Sequence, residues 1–225
     1  MKNILGISEV SLLILSICLI QSCCKEDTTE SESENDKYLI VMNEDYSISS
    51  VTHITGNNIV EFERSFEYSD KYVKVYTGGI LTNTYYLNNN GLADSSNNPR
   101  VKYQYNNDRY LISQSTSAVP IYYEYLNGNR TKFTWGTNKA YYQYNSLINI
   151  IDIDSFYGTF LGNLNKNLKQ STRLEFMMAS NGVSTTYQYS LNSAGLVIQR
   201  IAVSTYNSGV SPKKTVTDFE YSVKK

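Results

Sequence analysis

Few residues in this chain have side chains suited to chemistry, and their spacing narrows the possibilities further. Asp152 and Asp154 flank Ile153, so on a strand both carboxylates share one face. Paired carboxylates serve acid–base work on glycosides or hold calcium. Glu67, Glu124 and Glu220 recur at strand-like positions and could join them. The competing reading ends a strand at Asp152 and caps a helix with Asp154. His53 is the single histidine, within the strand-like run Ser50 to Thr55. It cannot supply the three or four ligands that zinc needs. As the base of a Ser-His-Asp triad it would stand beside nothing that marks a nucleophile. Phosphate-cradling Gly loops are absent, so no metal or cofactor is expected. With 20 Lys plus Arg against 21 Asp plus Glu in 225 residues, the chain lacks the basic surface that nucleic acid demands.

Tyrosine is the abundant functional group, with 21 copies. Ten fall in a recurring unit of aromatic, Glu or Gln, aromatic: Phe66-Glu67-Tyr68, Tyr103-Gln104-Tyr105, Tyr123-Glu124-Tyr125, Tyr142-Gln143-Tyr144, Tyr187-Gln188-Tyr189 and Phe219-Glu220-Tyr221. Tyr85-Tyr86-Leu87 is a degenerate copy, and the first four steps between starts are 19, 18, 20 and 19 residues. Residues i and i+2 share a strand face, so each unit sets two rings on one side and a Glu or Gln on the other. A hydroxyl on most of these rings argues against a wholly dry core. The candidate ligand face is Tyr103, Tyr105, Tyr123, Tyr125, Tyr142 and Tyr144 with Trp135, where flat rings could stack against sugars. Cross-strand ladder pairs that simply hold a sheet explain the same residues.

A period of about nineteen residues accommodates two strands and two turns. Asn90-Gly91, Asn127-Gly128 and Asn181-Gly182 are hairpin signals, and Gly78-Gly79 and Asn106-Asn107-Asp108 are weaker ones. Tyr72 to Tyr76, Arg109 to Ser115 and Arg130 to Trp135 supply partner strands. The fold expected is all-β: an antiparallel meander curled into a barrel or half-barrel. Leu147 to Ile153 and Leu196 to Val203 read as strands buried on both faces. Tyr157, Phe160, Leu161, Leu164 and Leu168 follow helical spacing, which predicts one short helix near 154–164, broken by Gly162. A loop follows from Tyr206 to Lys214.

The N-terminus reads as an address. Val10 to Ile20 is apolar except for Ser11 and Ser16, too short to cross a bilayer and right for a signal peptide, although Glu9 offsets Lys2. Ile20-Gln21-Ser22-Cys23 resembles the bacterial lipoprotein cleavage box, which makes Cys23 the lipidated residue. An ordinary cleaved signal is the alternative. Removing residues 1–22 leaves 19 basic and 20 acidic residues and no cysteine beyond Cys24, so no disulfide staples the domain. Lys25 to Asp36 carries six acids, one base and no apolar side chain, the composition of a disordered tether. Lys25-Glu26-Asp27 also resembles the short export tags of outward-displayed lipoproteins. The organisation expected is signal peptide 1–22, lipidated Cys and acidic tether 23–37, and one β-repeat domain 38–225.

The repeat unit looks like the tyrosine-rich YD repeats of large secreted bacterial shells. A closer resemblance is to a family of small bacterial lipoproteins of unknown function with a porin-like fold. Tyr122 to Trp135 resembles its strand, Asn-Gly-Asn, strand unit, and Asn149-Ile150-Ile151-Asp152 its Asn-x-x-Asp element. Leu161 to Lys169 resembles its Gly…Asn-Leu-Pro segment, with Lys169 at the proline position. The resemblance implies an exported lipoprotein with a curved antiparallel sheet, and no activity. A membrane pore is disfavoured, because the chain ends Ser222-Val223-Lys224-Lys225 where integral barrels end in an aromatic, and the Glu and Gln positions leave no lipid-facing band. The function expected is a non-enzymatic outer-membrane lipoprotein. It would be anchored in the bilayer by acyl chains, with glycan or an envelope protein as partner and display to the cell exterior as one option. A glycan-active hydrolase is the alternative.

Overall fold

The computed structural model describes residues 35–224 except 45–46, 98–99, 117–118, 152, 158, 177–181 and 208–209. Fifteen strands follow one another: β1 (Asn35–Met42), β2 (Ile48–Ile54), β3 (Val60–Tyr68), β4 (Tyr72–Thr77), β5 (Ile80–Leu87), β6 (Ala93–Asn97), β7 (Arg100–Tyr105), β8 (Leu111–Ser115), β9 (Ile121–Leu126), β10 (Asn129–Trp135), β11 (Asn138–Ile148), β12 (Asn167–Glu175), β13 (Val183–Leu191), β14 (Val197–Tyr206) and β15 (Lys213–Val223). Each pairs antiparallel with the next, and β1 pairs parallel with β15 to close the barrel. An up-and-down meander of odd strand number must close on a parallel pair, because its first and last strands run the same way. Closure removes every sheet edge, so the barrel, not the half-barrel, is the outcome.

The aromatic units set the register as their spacing implies. Tyr85, Phe66 and Phe219 point into the barrel and are 3%, 8% and 3% exposed, while Glu67, Glu124 and Gln188 between the rings point outward. The outer wall is stitched by polar pairs: Lys74 to Glu67 at 2.7 Å, Lys132 to Glu124 at 2.6 Å, Lys37 to Glu220 at 2.5 Å, and Gln199 to Asp218 at 2.9 Å. Cross-strand neighbours of this kind hold register on a wetted face.

The two ends of the barrel turn differently. At one end, Asn88, Asn106 and Asn192 each cap a short loop. The side-chain oxygen accepts the backbone N–H of the residue four positions on, Leu92, Tyr110 or Leu196, at 3.2, 2.9 and 3.0 Å. Short polar side chains that mimic backbone favour such turns. The predicted Asn127-Gly128 turn lies at the same end, with φ of 52° and 81°, the left-handed pair that a two-residue hairpin requires. Gly78 and Gly79, at φ 56° and 77°, make the equivalent turn at the opposite end.

The predicted helix at 154–164 is replaced by one 3-10 turn, Thr159–Leu161, within an irregular segment between β11 and β12. That segment folds into the barrel as a plug. Ile151, Ile153, Phe156, Tyr157 and Phe160 are buried against Ile40, Val51, Val73, Val75, Tyr85 and Leu196. Helical spacing misled because these side chains find partners around the circumference of the lumen instead of along one stripe. Positive φ at Phe156 (57°) and Gly162 (104°) rules out a continuous helix. At Gly162 a Cβ would stand 2.7 Å from the Arg109 carbonyl oxygen, so only glycine fits there. Asn163 and Asn165 hold the plug down. Asn163 donates to the Asp108 carbonyl at 2.7 Å, and the Asn165 side chain accepts the Arg130 N–H at 2.7 Å.

Two further boundaries shift. The strand read over Leu147 to Ile153 stops at Ile148, which is 67% exposed, and Ile151 and Ile153 belong to the plug. Strand β1 begins at Asn35, inside the stretch read as tether.

Candidate functional site

Because strands alternate, the candidate aromatics face the inner wall, where Tyr123, Tyr125, Tyr142 and Tyr144 gather around Arg130 and Trp135 stands at the far end of β10. Tyr103 sits 6.0 Å from Tyr85 and its hydroxyl lies 3.2 Å from Ser96 Oγ. Tyr105 lies beside it with a buried hydroxyl that has no hydrogen-bond partner among the described residues, and burial pushes its pKa up. Tyr125 packs on Tyr110 at 4.8 Å, and Tyr123 on Phe133 at 5.7 Å. Tyr144 donates to the Arg130 carbonyl at 2.7 Å, and its pKa too is raised by burial. Trp135 ends β10, opposite Ile121 and Asn138. Tyr142 completes the group and meets two cations, Arg130 at 5.1 Å and Lys169 at 5.0 Å from its ring centre.

Those cations were not singled out by the sequence reading. Arg130 lies between Tyr123 (5.3 Å) and Tyr142 (5.1 Å), with its Nε buried and unpaired among the described residues. Such contacts with ring faces stabilise a cation by about 0.5–2 kcal/mol, more as water is withdrawn. Burial works against the guanidinium charge, but the surrounding Tyr142, Tyr125, Tyr123 and Tyr144 outweigh it and raise the pKa. Arg200 sits over Tyr187 and Phe219 at 6.0 and 5.7 Å. One signal was available: Arg200 occupies an inward position of β14, in register with Thr217 and followed by Ala202, where the alternation calls for a small or apolar residue.

Asp154, carried inward by the plug, ties the cations together. It pairs with Lys169 Nζ at 2.9 Å and Arg200 Nη1 at 3.2 Å. Burial would raise its pKa, but Lys169 and Arg200 lower it below the ordinary 3.8. Burial, the largest single influence, pushes the Lys169 ammonium down, but Asp154 together with Tyr142 and Tyr187 outweighs it, for a net rise. Asp154 keeps 32% of its side-chain surface accessible although it lies within the ring of strands, so the lumen around it has room for water. It caps no helix. Its predicted companion Asp152 lies outside the described residues, as does Cys23. Asp154 is inside the barrel and Glu67 and Glu124 outside, so the wall separates it from the strand glutamates and the two cannot flank one substrate.

His53 is buried on the inner face of β2, stacked on Tyr38 at 4.5 Å. Glu61 lies 2.5 Å from its Nδ1 and Asp36 3.7 Å from its Nε2. Among the described residues no cluster of His, Cys, Asp and Glu is arranged to hold a metal. Two clefts, of about 440 and 720 Å³, lie elsewhere: one on the outer wall at Ser50, Glu63 and Tyr76, the other at the plugged end beside Tyr68, Leu87 and Phe160. The tyrosine and cation cluster is the concentration of interacting functional groups in the lumen.

No protein-family model matches the chain, and no curated protein does either. Among solved structures it is similar to a porin-like protein from Bacteroides uniformis ATCC 8492. The two are 17% identical with a TM-score of 0.57, and the match covers 78% of this chain and 84% of the other. At that identity the likeness concerns the fold alone: this chain is a closed fifteen-stranded barrel whose fold is similar to that of a porin-like protein.

Proposed function

We propose that this protein is a non-enzymatic cell-envelope lipoprotein, held to the outer membrane through acylated Cys23, whose lumen is a binding site for glycan. The observation that carries the reading is the orientation of the wall. The repeat tyrosines, Arg130 and Arg200 face inward around a water-accessible space, and ion-paired polar side chains face outward. An outer wall bearing Lys74–Glu67 and Lys132–Glu124 pairs suits water, not lipid, so the barrel hangs from its anchor instead of spanning the bilayer. Flat tyrosine faces beside Arg130 and Arg200 supply stacking and directed donors, the two contacts that orient a saccharide ring. The tie between Asp154 and two cations keeps that carboxyl ionised, which suits neither a general acid nor a proton shuttle.

A glycan array probed with the full mature protein and with its Tyr123→Ala and Trp135→Ala variants tests the binding. Retention of a glycan by the wild type and its loss from both variants, at unchanged melting temperature, is the expected result. Absence of signal on every glycan leaves the barrel a purely structural module. Palmitate incorporation that persists in Cys23→Ala would sink the anchor.

A further inference from the structure

The chain leaves the barrel toward its anchor at one end, and that end carries an arc of exposed apolar side chains. In register, Asn35 opens β1 beside the β2–β3 loop, where a Cβ on Gly56 would stand 3.1 Å from the Asn35 backbone nitrogen. That loop exposes Ile59 (62%) and leads into exposed Val60 (58%). The adjacent β4–β5 hairpin exposes Ile80 (72%) and Leu81 (48%). On the other side of Asn35 the β14–β15 loop exposes Val210 (55%). The arc thus runs along β14, β15 and β1 to β5, centred on the point where the tether enters. Large apolar groups at loop tips lose free energy in water unless something covers them. The opposite end closes with asparagine-capped loops and also exposes Leu126 (64%), Ile148 (67%) and Val223 (55%), so what distinguishes the arc is that the tether enters beside it.

We infer that this arc rests on the bilayer surface, so that the barrel is docked and oriented instead of swinging free. The inference depends on the Cys23 anchor. Eleven residues separate Cys23 from Asn35, a reach of roughly 40 Å over the twelve steps, so the rim is never far from the lipid that holds the chain. Once anchored, the rim meets the surface without further translational cost, and each apolar tip adds interfacial burial. Lys214 on the same rim is exposed and favours an anionic surface, whereas Glu61 opposes it. Only seven of the fifteen strands carry the arc, so the docked barrel tilts and the rim over β8 to β13 stands away from the lipid.

The mature lipoprotein, with Cys24→Ser, can be labelled with an environment-sensitive fluorophore at Ile80→Cys or at Asn89→Cys and reconstituted in phosphatidylcholine–phosphatidylglycerol vesicles. Spin-labelled lipid should quench and blue-shift the label at 80 and leave the label at 89 unchanged. Ile59→Asp should abolish the shift at 80 while the protein still floats with the vesicles. Equal quenching at both positions in floating protein overturns the docking and leaves the anchor standing. Protein that fails to float overturns the anchor and the docking together. Self-association of Cys23→Ala in sedimentation, lost on Ile80→Asp, would assign the arc to a second copy and overturn the lipid assignment.

Discussion

The barrel uses one repeat in two ways. Along β1 to β6 and β15 the inward positions are mainly apolar, among them Ile40, Val51, Phe66, Val73, Val75 and Phe219, sealed against the plug with His53 the buried polar exception on β2. Along β7 to β13 tyrosines and cations gather around Arg130, Asp154 and Lys169, between buried Val101, Leu111, Ile121 and Ala140. The first arc behaves as an ordinary core, where the hydrophobic effect is proportional to area. The second is held by directed contacts that each stabilise it little, and it keeps room inside. A barrel of this girth cannot fill its lumen from the wall alone. One loop fills part of it, and the remainder is left for chemistry.

Substitutions can break or sharpen this contrast. The largest effect is expected from Phe160→Ala, which removes a plug ring 5.1 Å from Tyr85 and leaves a cavity. Chemical denaturation should show a loss of about 3–5 kcal/mol. Asp154→Asn should follow, at about 1–3 kcal/mol. The variant strands Lys169 and Arg200, but partial accessibility of the site discounts the cost. Because the folded pKa of Asp154 lies below 3.8, its contribution is complete above that pH and is lost as pH falls through the lower folded value. Wild type should therefore lose stability in that acid window, and Asp154→Asn should not show this component. Tyr144→Phe deletes one hydroxyl donor to the Arg130 carbonyl, worth about 1 kcal/mol in the same measurement. Lys132→Ala, on the wetted outer face, should leave the denaturation midpoint unchanged. A Tyr144→Phe loss as large as that of Phe160→Ala would erase the distinction between the arcs.

The strands were legible because their signals are local. Alternation places Tyr103 and Tyr105 on one face, and Asn127-Gly128 dictates its own turn. The plug was not legible. Its apolar residues are spaced as in a helix, and only the closed wall reveals that their partners are Phe66, Tyr85 and Tyr38. The same holds for Asp154, whose cations lie 15 and 46 residues further along the chain, at Lys169 and Arg200. Likewise nothing in β1 or β15 announces a parallel pair at the seam.

That seam has a consequence for how the chain may be cut and joined. Because β1 and β15 run side by side in the same direction, Asn35 and Lys224 lie at opposite ends of the barrel. A circular permutant would need a linker running the length of the 11-residue β15, about 36 Å, or roughly eleven extended residues. A short linker would tear the seam. By the same geometry a fluorescent protein fused after Lys224 would stand a full barrel height from the tether, on the far side from whatever holds the N-terminus.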